Sequence, residues 1–150
     1  MDDRHYPILI VTWIGEATVP LVRTYQQWQT AQAERARASG IKLVSLTDGS
    51  RATRPGANVR KAFADGEIPG HDIMIKSVVV VTNPLIRGAI TAVRWLMGDS
   101  FGDVELVESN AIAIERCLET LDQHGIARPS RLSPTTYEPP AARTRAPATA

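Results

Sequence analysis

Residues 77–82, Ser-Val-Val-Val-Val-Thr, constrain the chain most. β-branched side chains are stiff at χ1 and favour extended backbone. An apolar run without alternation also needs cover on both faces, which is the position of a central strand in a parallel sheet. Asn83-Pro84 follows at once. Asn is a strong N-cap and Pro is at home in the first helical turn, so the strand must pass directly into a helix rather than a hairpin. That helix is expected over Leu85–Met97, with Ile86, Ala89, Ile90, Val93 and Leu96/Met97 on one side.

The same handover from strand to helix recurs along the chain. Tyr6–Ile14 (YPILIVTWI) reads as a strand ended by Gly15, and Thr18 with Pro20 opens a helix over Val19–Ser39 that Gly40 stops. Ile41–Thr47 reads as a second strand ended by Asp48-Gly49, followed by a weaker helix over Arg51–Asp65 and a helical turn near Asp72–Ile75. After the central strand and its helix, Val104–Val107 alternates as an edge strand would, and Ser109 or Asn110 caps a last helix over Ala111–His124. Strands alternating with helices imply an α/β fold: a four-stranded, mainly parallel sheet joined by right-handed crossovers.

From residue 129 the character changes. Residues 129–150 hold five of the ten prolines, with Leu132 and Tyr137 as the apolar exceptions. So little apolar surface does not offset the entropy of ordering, so the sequence predicts one domain over 1–128 and a disordered Pro/Ala/Thr/Arg-rich tail over 129–150. The net charge of +1 comes from this tail, whose three arginines and one glutamate give +2 and leave 14 basic against 15 acidic residues, or −1, in the domain. A near-neutral domain argues against nucleic acid as a partner. The apolar runs are too short for a membrane span, and the acidic start, Met1-Asp2-Asp3, is unlike a secretory signal. The single Cys117 excludes an internal disulfide and a cysteine metal cluster, and points to a reducing, cytoplasmic setting.

The run SVVVVTNPLIRGAITAVRWL, followed by VELVES and a final helix, resembles the SpoIIAA-like superfamily, which includes STAS domains and the STAS/SEC14-type proteins of bacteria. The resemblance covers roughly residues 6–124. It implies a β-α superhelix with successive parallel strands and a non-enzymatic, signalling role exercised through protein–protein interaction. In some STAS domains the switch is phosphorylation of a Ser or Thr at the start of the second helix. SEC14-like relatives hold lipid-like ligands in an apolar groove, which implies as an alternative a carrier or sensor of a small apolar or anionic ligand. The equivalent loop here is residues 47–53, where the Asp-Ser-Ser-Gly signature is absent and arginines stand instead, leaving Ser50 and Thr53 as the acceptor candidates.

The residues themselves point to the same edge. Asp48, Ser50, Arg51, Thr53 and Arg54 follow the second strand, and no acidic residue lies between Gly49 and Ala64. Ligands of α/β sheets gather at the C-terminal ends of strands, and a helix N-terminus there favours an anion. An anion- or partner-binding site and a solvated basic loop both fit this pattern. Asn83 and Arg87 flank the end of the central strand. A cation is unfavourable in a first helical turn, so Arg87 needs a reason. Trp95 lies beside its helix's apolar stripe and is the candidate for an interface, with a protein partner or a homodimer; Trp13 and Trp28 read as groove lining or as packing. No dinucleotide, P-loop or nucleophile-elbow motif is present, and the histidines lack metal-ligand spacing. The expectation is no catalysis, no cofactor and no metal.

Overall fold

The structure is a computed structural model, and it describes residues 1–66, 70–84, 87–88 and 103–139. β1 (Ile8–Gly15), β2 (Leu43–Ala52), β3 (Met74–Val80) and β4 (Val104–Val107) form one sheet in the order β1-β2-β3-β4. Every pairing in it is parallel. The described helices are α1 (Val19–Ser39), α2 (Ala57–Ala64) and α3 (Asn110–Gln123). The fold is therefore the α/β, parallel, four-stranded arrangement that the alternation of strand and helix predicted.

Side-chain alternation splits the core into two layers. Ile8, Ile10, Val44, Leu46, Val78, Val80 and Val107 face α3, whose Ala113, Ile114, Cys117, Leu118 and Leu121 close that layer. Leu9 and Leu43 face the other way and pack with Ala33 and Ala36 of α1 and with Ile73. α1 contributes small side chains, Ala33 and Ala36, to this layer from a mostly polar helix. Thr18 caps it by accepting the Leu21 N–H, and Gly40 closes it in the left-handed region at φ 65°.

Several boundaries differ from the sequence reading. β2 does not stop at Thr47 but continues to Ala52, and α2 begins at Ala57 rather than Arg51. Asp48-Gly49 is a turn signal that the sheet absorbs as a bulge. Between Thr12↔Asp48 and Ile14↔Arg51 the partner strands advance unequally, so β2 carries one extra residue. Asp48 itself supplies the local turn, its Oδ1 accepting the Ser50 N–H at 2.9 Å. β3 starts at Met74, where a helical turn was expected, because its first residues pair with β2 from Leu43 onward.

The largest correction concerns the tail. Residues 129–139 are not a free, disordered segment: Leu132 is 7% exposed and belongs to the α3-side core, with Ile126 and Tyr137 packed against it. α3 lies over β2, β3 and β4. Ile8 and Ile10 of β1 belong to the same core as Leu132, and Tyr137 packs against that core. Residues 140–150 lie outside the described residues, as do Leu85, Ile86 and 89–102.

Candidate functional site

Asp48 stands at the C-terminal edge of the sheet, on the α3 side of β2, and is 1% exposed. Burying an ionised carboxylate is costly unless its oxygens are satisfied. Here Oδ1 accepts the Ser50 hydroxyl at 2.6 Å and the Ser50 N–H at 2.9 Å, and Oδ2 accepts the Asn110 amide at 2.7 Å. Asn110 opens α3, whose N-cap is Ser109 accepting the Ile112 N–H. The positive end of a helix dipole therefore adjoins the carboxylate. Burial alone would raise the Asp48 pKa. The bonds from Ser50 and Asn110 and the nearby charge of Arg51 outweigh it, and the pKa lies below 3.8.

Ser50 is exposed and anchored to Asp48, while its neighbour Arg51 pairs in register with Ile14 and projects into solvent. Thr53 is held by its N–H, which donates to the Gly15 carbonyl at 2.9 Å, and Arg54 is exposed beyond it. The basic residues thus sit on a strand extension and the short connection to α2, not on a helix N-terminus as the sequence implied. Asn83 and Arg87 are at the same edge, after β3. The Asn83 carbonyl accepts the Arg87 N–H at 3.0 Å, the first turn of the expected helix. The Arg87 guanidinium donates to the Val81 carbonyl at 3.2 Å, which answers why a cation stands there. Trp95 lies outside the described residues.

Of the two readings open for Trp13 and Trp28, groove lining and packing, the structure shows packing. Trp13 meets Tyr25 and Phe63 edge-on at 5.3 and 5.5 Å between ring centroids, and Trp28 stacks on Tyr25 at 6.4 Å. They join β1, α1 and α2 as packing, and burial pushes the Tyr25 hydroxyl up to about 12. Cys117 is buried in the core, where desolvation pushes its thiol up to about 12 and makes it unreactive.

Two groups escaped the sequence reading. Asn110 was legible as a helix cap but not as a ligand of Asp48, because the pair is 62 residues apart. The second group surrounds Asp2, which is 3% exposed. Arg4 reaches both of its carboxylate oxygens, at 2.9 and 2.8 Å, and the Tyr137 hydroxyl donates to Oδ2 at 3.3 Å. No pattern marks an N-terminal Asp-Asp-Arg-His as structural; its one signal was the pair of apolar residues in the C-terminal stretch.

Among the described residues no group of three or more His, Cys, Asp or Glu is placed to hold a metal ion, and no helix is long and apolar enough to cross a membrane. No family model, no curated protein and no solved structure matches the chain.

Proposed function

We propose that this domain is a non-enzymatic regulatory module of the bacterial cytoplasm, related to the SpoIIAA-like superfamily, that binds an acidic or phosphorylated segment of a partner protein at the C-terminal edge of its sheet. The observation that carries this reading is the buried Asp48 carboxylate. It ties the exposed Ser50 on β2 to the first residue of α3, and so holds Ser50, Arg51 and Arg54 on a rigid base. Preorganised cations at a sheet edge suit an anionic partner group.

The same geometry supports binding over catalysis. A carboxylate held below its usual range and already bonded to three donors is a weak proton acceptor. The Ser50 hydroxyl beside it is therefore positioned but not activated. The lone, buried Cys117 fits a reducing compartment.

Inorganic phosphate or sulfate serves as the probe of the edge. The melting temperature of the wild-type chain is expected to rise with added anion, and to rise less in the double variant Arg51→Ala, Arg54→Ala. Equal shifts in the two proteins remove the reading.

A further inference from the structure

We propose that the N-terminal hook (residues 2–7) and the C-terminal strap (residues 126–139) form a proton-sensitive latch, in which protonation of His5 releases the strap from the β1 side of the sheet. His5 is 7% exposed, and its Nδ1 is buried with no hydrogen-bond partner. Its ring meets Tyr137 of the strap edge-on, with centroids 5.7 Å apart and planes at 71°. The hook is fixed on its other side, where Asp2 and Ile10 exchange backbone bonds of 2.8 and 3.0 Å. It therefore stays with the sheet when the strap moves.

The strap is held mainly through side chains. Its first residue, Ile126, donates its N–H to the Leu121 carbonyl of α3 at 2.9 Å, and the backbone bonds beyond that point are internal, from Leu132 to Pro129 and from Thr136 and Tyr137 to Ser133. Its attachments to the hook are the Tyr137 hydroxyl on Asp2 and the Arg4 guanidinium on the Glu138 carbonyl at 3.4 Å. Further back, Arg128 pairs with Asp122 at the end of α3. Such a segment can leave without breaking a ladder of backbone bonds.

A proton on Nδ1 would create a buried donor without an acceptor. The groups facing the ring are Asp2 and Arg4 of the hook and the Tyr137 phenol of the strap. The Asp2 carboxylate is already occupied by Arg4 and Tyr137, and the Arg4 guanidinium repels a second cation. Burial, with Arg4 adding to it and Asp2 opposing, holds the His5 pKa below 6.5. The closed state therefore prefers neutral His5. Its advantage is complete above the ordinary histidine range and declines as pH falls through and below that range. Opening the strap admits water to Nδ1 and takes Leu132 out of the core that it shares with Ile8 and Ile10.

Hydrogen exchange of the full chain, read by mass spectrometry on strap peptides, tests the latch. Between about pH 7.5 and 5.5, strap protection in the wild type should fall, by up to about tenfold for a single histidine, beyond the intrinsic pH dependence of exchange. In His5→Gln and in His5→Phe it should not. Asp2, held below 3.8, stays ionised across this range and cannot produce the change. A wild-type strap whose protection does not fall, or a parallel loss in the His5 variants, overturns the proposal. Should both variants unfold, NMR of the wild type decides. The His5 ring titration and the loss of strap protection must share one midpoint, and separate midpoints reject the latch.

Discussion

Asp48 and Asp2 are both aspartates buried almost completely in the same small domain, and both are held below the usual carboxylate range. Their surroundings differ. Asp48 is satisfied by neutral donors, Ser50 and Asn110, and joins β2 to α3, two elements of the central core. Asp2 is satisfied chiefly by Arg4, more than half of which is exposed, and joins two terminal segments. A buried charge with neutral, ordered donors is part of the framework. A buried charge whose partner reaches into solvent is a peripheral tie, because the partner can be rehydrated.

The largest effect should follow from breaking the first of these. Asp48→Ala leaves the donors of Ser50 and Asn110 unmatched, and is expected to cost about 3 kcal/mol in denaturant unfolding. Asp2→Ala removes a partner that water can replace at Arg4, and is expected to cost about 1 kcal/mol. Equal losses would erase the distinction between framework and tie. Acid should separate them as well. Each carboxylate contributes stability that is complete above about pH 4 to 5 and is lost as pH falls through its lowered folded-state value. Asp48→Asn should therefore flatten the acid limb of the stability curve more than Asp2→Asn.

Next in size is the strap's apolar anchor. Leu132→Ala opens a space in the α3-side core and is expected to cost about 2 kcal/mol, with the melting temperature falling accordingly. A free tail would show no change. The value also measures how far the terminal tie belongs to the core: a loss matching that of Asp48→Ala would make the strap framework too.

The parts of the fold legible in sequence are those set by local pattern. The valines of β3 and the Thr18 and Gly40 boundaries of α1 act within a few residues, and they appear where expected. What was not legible depends on distant pairing. Asp48-Gly49 carries every mark of a strand end, but β1 offers Ile14 and Gly15 as partners, and the turn becomes a bulge within the strand. The edge containing Asp48, Ser50 and Arg51 was visible as a cluster of residue types, whereas its bond to Asn110 was not. Leu132 and Tyr137 were noticed only as exceptions to a disordered composition. Composition averages over a segment, while docking needs only two anchors and an uncovered strip of sheet to receive them.

The smallest effect tests the tie at a single atom. Tyr137→Phe removes the hydroxyl that donates to Asp2 at 3.3 Å and keeps the ring against His5. Arg4 still satisfies both Asp2 oxygens, so no buried carboxylate is left without a donor. The global cost should be about 0.5 kcal/mol, near the low end for a neutral hydrogen bond. The local cost should be larger in proportion, because few other attachments hold this end of the strap. Exchange of amides at Ser133–Tyr137 should quicken while those of β2 and β3 stay unchanged. If β2 and β3 quicken by the same factor, the strap unfolds only with the whole domain, and the hook and strap belong to the same cooperative unit as Asp48.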